Sequence, residues 1–272
     1  MRIEDLVALT LEEDIAFGDV TTRLTVPAGT EAEAEIRSKA EGVLAGIDVA
    51  GEVFQQVDIS LDYMPLLADG AELRPGTVIA RVQGSAASIL TAERTALNFL
   101  QHLSGIATVT RAYVDAAGGR IGILDTRKTM PLLRALEKEA VRTGGGHNHR
   151  FGLFDGVLIK DNHIRAAGGI GAAVAAARTG AQHLLKIEVE AQSLVQVEEA
   201  LAAGADVIML DNLSTDDMRR AVEIIGGRAQ VEISGGVTLE RIPELAALGA
   251  DFVSVGALTH SVKALDINLE IL

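Results

Sequence analysis

The chain has 272 residues, long enough for one large domain or for a large domain with a smaller companion. Its formal net charge of −14 and the lack of an extended basic stripe argue against a nucleic-acid partner, and the absence of cysteine excludes disulfides, thiolate catalysis and cysteine-bound zinc. The acidic opening is unlike a signal peptide and no apolar run reaches the ~18 residues of a membrane span, so we expect a cytoplasmic protein with no membrane contact.

The first 87 residues have the texture of an α+β domain. They begin with an acidic helix, continue in short alternating segments, and include a helical pattern in IDVAGEVFQQV. Turns are indicated at Pro27-Ala28-Gly29 and at Pro75-Gly76. A long apolar-periodic stretch over 88–117 then predicts a helix, with a break near Ser104-Gly105.

Beyond this helix, short β-branched runs alternate with helical patterns, which predicts parallel strands joined by right-handed crossovers. The predicted strands are RIGILD, VLIKD, LLKIEVE, DVIMLD, QVEIS and DFVSVG. The absence of a Gly-x-Gly-x-x-Gly motif favours a closed β/α barrel over an open nucleotide-binding sheet. The final segment, INLEIL, alternates like an edge strand that returns to the N-terminal domain.

Polar residues follow each predicted strand, at the end where β/α barrels carry their chemistry. Arg127 and Lys128 follow the first strand, and adjacent cations suit the clamping of phosphate or carboxylate oxygens. The alternative is a pair of solvated surface charges.

The segment Gly144-Gly145-Gly146-His147-Asn148-His149-Arg150 combines flexible backbone with hydrogen-bond donors. Three glycines permit backbone angles that aim the following donors at an anion. A metal site at His147-x-His149 is a weaker interpretation, because no third ligand stands at a familiar spacing. A loop with surface histidines is the other alternative.

Lys186, Glu188 and Glu190 occupy alternate positions in one predicted strand. They should therefore share one face, and charges on the inward face indicate the lining of an active site. The alternative is an internal Lys-Glu pair that neutralises itself.

The later strand ends carry an acid and then glycines. Asp211 precedes Asn212, and a helix-capping role is less plausible because Ser214 lies nearer the next helix. Ser234-Gly235-Gly236 and Gly256 are suited to binding phosphate through backbone N–H groups. These features together predict a site for an anionic, phosphorylated small molecule, with carboxylates for hydroxyls or a divalent metal.

The chain resembles the quinolinate phosphoribosyltransferases in several long motifs that occur in one order. They are AERTALN at 92–98, LSGIAT at 103–108, DTRKT at 125–129, GGGHNHR at 144–150, LIKDNH at 158–163 and MLDN at 209–212. The match extends from Glu13-Asp14 and GDVTT at 18–22 to Ser261-Val262-Lys263.

The resemblance implies an α/β fold with two domains. An N-terminal α+β open sandwich would cover 1–104, joined by 262–272, and an incomplete barrel with fewer than eight strands would cover 105–261. It also implies a homodimer with active sites shared between subunits, in a higher assembly if further dimers join. The implied activity transfers the phosphoribosyl group of phosphoribosyl pyrophosphate to quinolinate with decarboxylation, in NAD biosynthesis.

The same resemblance assigns roles to residues. Binding of the two quinolinate carboxylates falls to Arg127, His149, Arg150 and Lys160. Glu190 and Asp211 would hold ribose hydroxyls and the Mg²⁺ cofactor, while Lys128 would contact substrate and diphosphate. Arg94 would reach the neighbouring subunit's site, and Ser234, Gly235, Gly236 and Gly256 would surround the 5′-phosphate. The expected catalytic residues are Lys128, Lys160, Glu190 and Asp211.

One departure from the family pattern and three rival functions accompany this prediction. Met130-Pro131-Leu132 stands where the family commonly has a threonine and a glycine around the proline, which leaves the loop path near Lys128 open. The rivals are a molybdenum-transport-associated paralogue, a lyase with a Schiff base on Lys160 or Lys186, and a non-catalytic binder of a phosphorylated ligand.

Overall fold

The computed structural model describes residues 2–272. In chain order the helices are α1 Ile3–Ile15, α2 Val20–Thr25, α3 Ile47–Val57, α4 Ala86–Ala117, α5 Arg134–Thr143, α6 Asp161–Ala167, α7 Ile170–Gly180, α8 Leu194–Ala202, α9 Thr215–Ile225, α10 Ile242–Leu245 and α11 Ala257–His260. The strands are β1 Glu31–Ser38, β2 Gly42–Val43, β3 Asp62–Pro65, β4 Glu72–Leu73, β5 Val78–Ser85, β6 Gly122–Leu124, β7 Val157–Ile159, β8 Ile187–Ala191, β9 Val207–Asp211, β10 Gln230–Ser234, β11 Phe252–Ser254 and β12 Ile267–Ile271.

The chain divides into two compact units. The first comprises the chain up to Arg111, Met130–Gly145 and Ser261–Leu272; the second comprises Ala112–Thr129 and Gly146–His260. Residues 130–145, which we expected in the barrel domain, thus belong to the first unit. Two contacts within that unit hold them: His102 Nε2 lies 2.8 Å from Glu137 Oε1, and Arg111 Nε donates to Gly144 O at 3.0 Å.

The first unit contains an antiparallel sheet with strand order β12-β1-β5-β3. The segment INLEIL supplies β12, which pairs with β1 from Ala34↔Ile271 to Ser38↔Ile267. Glu35 is buried in β1, and Arg81 Nε donates to its Oε1 at 3.0 Å. This ion pair compensates for the hydration that the buried carboxylate has lost.

α4 is one continuous helix of 32 residues, so the expected break at Ser104-Gly105 is wrong. Gly105 has a packing role instead. A Cβ at this position would lie 2.3 Å from the carbonyl oxygen of Lys263, so glycine is what lets the C-terminal segment pass against the helix.

The second unit contains a parallel sheet with strand order β6-β11-β10-β9-β8-β7, and all six predicted strands are present. Between residues 2 and 272 no hydrogen-bonded pairing joins β6 to β7, so the closed barrel expected from strand-helix alternation is wrong. The incomplete barrel with fewer than eight strands is confirmed. The backbone of His147 bonds along the edge of β6 instead, donating to Ile123 O at 2.8 Å.

The six strands bury apolar side chains such as Ile208, Leu210, Ile233 and Val253. Their parallel direction brings all carboxyl ends to one edge, where the polar residues that follow each strand converge. Throughout the described part of the chain, no helix is both long and apolar enough to cross a membrane.

Candidate active site

The carboxyl ends of the parallel strands surround a cavity of about 270 Å³. The lining residues are Thr126, Arg127, Lys128, His149, Arg150, Leu158, Lys160, Glu190, Met209, Asp211, Glu232, Ser234 and Ser254. Most of the predicted site residues are therefore brought together. Arg94 is not among them and is exposed on α4 in the first unit, and Gly235, Gly236 and Gly256 do not line this cavity.

Two arginines form one cationic side of the pocket. Burial lowers the pKa of the Arg150 guanidinium, and the charge of Arg127 lowers it further. Arg150 Nη1 also donates to Gly156 O at 3.0 Å, which holds the guanidinium in place. Two neighbouring cations, one of them partly desolvated, favour an anionic ligand, because its charge relieves their repulsion.

Lys160 adds a third cation and is paired with an acid. Its Nζ lies 2.9 Å from Glu190 Oε2, and the Glu190 side chain is only 9% exposed. A Schiff-base lysine requires a depressed pKa in an apolar pocket. Lys160 is instead exposed and ion-paired with Glu190, so the geometry does not support the lyase interpretation at Lys160.

Lys128 is held through its backbone. Its N–H donates to Thr126 Oγ1 at 3.0 Å, and its carbonyl accepts from Thr259 Oγ1 at 2.7 Å. A Cβ at Gly256 would lie 3.0 Å from Lys128 Cδ, which is tight. Gly256 therefore leaves room for the lysine side chain at the pocket.

Two carboxylates form an acidic side opposite in charge to the arginines. Gln192 Nε2 donates to Glu190 Oε1 at 3.4 Å and to Asp211 Oδ2 at 3.2 Å, so one amide bridges both acids. Ser214, and not Asp211, caps α9 by accepting from Asp217 N. Asp211 is thus left to act as a carboxylate in the pocket.

The turn after β10 packs closely on the turn after β9. Gly235 and Gly236 both have positive φ, and a Cβ on Gly235 would lie 2.2 Å from Asn212 Oδ1. Asn212 itself has a φ of 56°, a conformation that asparagine tolerates better than most residues. Glycine at 235 is therefore required by both backbone angle and space.

Lys186 does not share the site of Glu188 and Glu190, and the prediction that it faces inward is wrong. It precedes β8, is exposed, and donates through Nζ to Oε1 of Gln230, the first residue of β10. Lys186 therefore lies at the opposite strand ends from the pocket, away from a Schiff-base role, and no Lys186-Glu pair is present among residues 2–272.

Three acids complete the interior: Glu188, which the alternation of the strand placed on the inward face, and Asp125 and Glu232, to which the sequence had assigned no role. Asp125 is fully buried and accepts from Asn148 Nδ2 at 2.6 Å and from His149 N at 2.9 Å, which fixes the glycine-rich segment. Glu188 Oε2 lies 3.1 Å from His149 Nε2, and Glu232 Oε2 lies 3.7 Å from it. The sequence feature that could have indicated Glu232 is the position of an acidic residue within the apolar run QVEIS.

Burial raises the pKa of Glu232 to about 8, and the nearby carboxylate of Glu188 adds to this effect while His149 opposes it. His149, Glu188 and Glu232 lie close enough together to share a cation. His147 is exposed and does not belong to this group, so the geometry does not support a metal site at His147-x-His149.

Comparisons with known proteins agree along most of the chain. Residues 19–104 match the family model for the quinolinate phosphoribosyl transferase N-terminal domain, and residues 106–270 match that for the C-terminal domain. The chain is 47% identical to a probable nicotinate-nucleotide pyrophosphorylase [carboxylating] of Bacillus subtilis, with 95% of this chain and 90% of that protein covered. It is also 47% identical to the Mycobacterium leprae nicotinate-nucleotide pyrophosphorylase [carboxylating], with 98% and 96% covered.

The fold agrees as well. The structure of the nicotinate-nucleotide pyrophosphorylase from Francisella tularensis superposes with a TM-score of 0.94 at 43% identity, over 99% of this chain and 96% of that one. With both domain models matched in order and relatives this similar over nearly their full length, the chain belongs to the quinolinate phosphoribosyltransferase family.

Proposed function

We propose that the protein transfers the phosphoribosyl group of phosphoribosyl pyrophosphate to quinolinate, releasing diphosphate and CO2 and forming nicotinate mononucleotide for NAD synthesis. One observation carries this proposal: a single pocket places Arg127, Arg150 and Lys160 beside the carboxylates of Glu190 and Asp211. The names of the relatives support it, and they give no support to the molybdenum-transport alternative.

The cationic side is suited to a pyridine dicarboxylate. Arginine binds a carboxylate through two parallel hydrogen bonds, and Lys160 supplies a mobile point charge. Nicotinate lacks the 2-carboxylate and would therefore forgo the charge-assisted hydrogen bonds that this group makes with the cations. We expect the site to discriminate against nicotinate for this reason.

The acidic side is suited to ribose hydroxyls and to Mg²⁺. The oxygens of Glu190 and Asp211 match the preference of Mg²⁺ for carboxylates, and the amide donor of Gln192 already bridges them. When bound, Mg²⁺ would neutralise the developing charge of the diphosphate. The turns containing Ser234, Gly235, Gly236 and Gly256 would surround the 5′-phosphate.

The reaction forms a bond between the pyridine nitrogen and C1 of the ribose while the bond from C1 to the diphosphate oxygen breaks. Lys128 is placed to stabilise the departing diphosphate, and the two acids to stabilise the electron-poor ribosyl centre. The bond from C2 to its carboxyl carbon then breaks. CO2 leaves, the electron pair stays on C2, and a proton replaces the lost group.

The direct test supplies purified protein with quinolinate, phosphoribosyl pyrophosphate and Mg²⁺. We expect CO2 and diphosphate in equal amounts, and no product when nicotinate replaces quinolinate. Saturable binding of quinolinate without turnover under any divalent metal would instead show a non-catalytic binder.

We also propose that the protein is a cytoplasmic homodimer in which Arg94 completes the partner's pocket, with small anionic molecules as its ligands. The exposure of Arg94 and its position outside the described pocket lining support this role. Mixing Arg94→Ala with Lys128→Ala should restore part of the activity, because hybrid dimers contain one intact site. If subunits exchange and activity stays absent, Arg94 does not act across the dimer.

A further inference from the structure

The floor of the pocket contains two buried acids, Glu188 and Glu232, to which the proposed reaction gives no role. Glu188 and Glu232 are 7% and 2% exposed, and both approach one nitrogen of His149. Burying two acids beside one histidine costs free energy, because each acid loses its hydration. The arrangement therefore calls for an explanation.

Hydrogen bonding defines the protonation of the imidazole. The backbone N–H of Arg150 donates to His149 Nδ1 at 2.7 Å, so Nδ1 accepts and carries no proton. The proton of the neutral ring is then on Nε2, which faces Glu188 Oε2 at 3.1 Å. Both ring nitrogens are therefore engaged by the protein.

This tautomer argues against a metal ion in the cluster. A histidine that binds a metal through one nitrogen donates from the other, which is then an N–H. Here the second nitrogen accepts a hydrogen bond from a backbone N–H. The geometry is that of a histidine held by a carboxylate, in which Glu188 accepts a hydrogen bond from the Nε2–H of the ring.

We propose that Glu188 is a positioning residue that holds His149 through Nε2, with Glu232 buried beside this pair, so that Nδ1 accepts the Arg150 N–H and the Arg150 guanidinium is fixed at the ligand pocket. Arg150 is then anchored at its backbone by His149 and at Nη1 by Gly156 O. Its remaining donors are left for a carboxylate. Only the identity of that ligand as quinolinate rests on the proposed function.

Three variants test the positioning role. Glu188→Leu removes the acceptor for the Nε2 proton with little change in volume, whereas Glu188→Gln retains an acceptor oxygen without the charge. The matched control is Glu35→Gln, a buried acid of β1 in the first unit that does not line the pocket. Quinolinate affinity is measured by calorimetry, KM and kcat by turnover, and folding by the melting temperature.

We expect Glu188→Leu to weaken quinolinate binding and raise its KM by about tenfold, the usual effect of losing a residue that orients a ligand-binding group. Its melting temperature should fall no further than that of Glu35→Gln, because the substitution leaves the Nε2 proton without an acceptor but also relieves the repulsion between Glu188 and Glu232. Glu188→Gln should stay within about threefold of the native protein, and Glu35→Gln should bind quinolinate normally. Equal binding by all variants, or a loss that tracks the melting temperature, would overturn the proposal.

The tautomer can be tested without any ligand. In protein labelled with ¹⁵N-histidine, with the His149 signals assigned by His149→Asn, we expect a protonated Nε2 and an unprotonated Nδ1 at neutral pH. In Glu188→Leu this preference should weaken. A protonated Nδ1 in the native protein would disprove the positioning role even if turnover is normal, whereas the expected tautomer without turnover would reject only the proposed function.

Discussion

At the scale of single residues, the pocket depends on side chains whose donors are divided between protein and ligand. Arg150 is the clearest case, since one arm of its guanidinium bonds to Gly156 O and the side chain lines the cavity beside Arg127. A planar guanidinium can serve both partners at once, whereas the ammonium of lysine is a single point charge.

We therefore predict that Arg150→Lys raises the KM for quinolinate by about tenfold or more, the equivalent of one lost charge-assisted hydrogen bond. The KM for phosphoribosyl pyrophosphate should change little. Arg178→Lys is the control, because Arg178 also donates to a backbone carbonyl, that of Gly204, but does not line the pocket. An unchanged quinolinate KM in Arg150→Lys would show that Arg150 does not bind the substrate.

Leu132 lies in the loop after Thr129, where the chain departs from the pattern that the resemblance implies. Its φ is 68°, a left-handed conformation that favours glycine over leucine. Leu132→Gly should raise the free energy of unfolding by about 0.5 kcal/mol or more, because about 1–2 kcal/mol of backbone strain is removed and glycine entropy offsets only part of it. Chemical denaturation measures the change.

The control for this substitution lies in the neighbouring helix. Ala135→Gly, at an exposed position of α5, should lower the free energy of unfolding by about 1 kcal/mol, since glycine is a poor helix former. If Leu132→Gly is destabilised to the same degree, the leucine is not strained in solution.

At the scale of elements, the turns after the strands determine how closely neighbouring loops approach. Gly235 after β10 has a φ of 90° and packs on Asn212 after β9. Gly227, between α9 and β10, also has a positive φ, of 74°, but has nothing within 4 Å of where a Cβ would be. A comparison of substitutions at the two glycines therefore distinguishes the effect of backbone strain from that of close packing.

We predict that Gly235→Ala raises the KM for phosphoribosyl pyrophosphate and that Gly227→Ala does not. Both substitutions should lower the free energy of unfolding by about 1 kcal/mol through left-handed strain. Gly235→Ala should lower it further, because the new methyl group meets Asn212. Steady-state kinetics and denaturation measure these effects. A normal KM for phosphoribosyl pyrophosphate in Gly235→Ala would show that this turn does not contribute to phosphate binding.

At the scale of the whole molecule, the buried acids make stability depend on pH. The pKa of Glu232 is raised to about 8 from 4.5, so the folded protein keeps a proton that the unfolded chain loses. The free energy of unfolding contributed by this group is therefore full below about pH 4.5 and declines as pH rises to about 8.

Glu232→Gln removes this titration, so we predict that the variant gains stability relative to the native protein as pH rises from about 5 to 8. Glu240→Gln serves as a control, because hydrogen bonds from its own backbone N–H and from Thr238 lower the pKa of Glu240. Denaturation at several pH values measures the difference. A constant gap between native protein and Glu232→Gln would contradict a raised pKa.

Much of the fold was predictable because periodicity and strand-helix alternation are local properties of the chain. The six parallel strands and the helix at 47–57 occur where the pattern indicates them. Parallel strands bring their carboxyl ends to one edge, so the polar residues after each strand could be expected to meet. Arg127, Lys160, Glu190 and Asp211 do so.

What the sequence by itself determined is therefore the elements, their order and the chemical character of the pocket. Only the tertiary structure decided that Lys186 lies outside the pocket, that α4 continues through Gly105, and that in the described part of the chain β6 and β7 do not pair with each other. It also decided which nitrogen of His149 accepts a hydrogen bond. These features depend on contacts between residues distant in sequence, which no local pattern encodes.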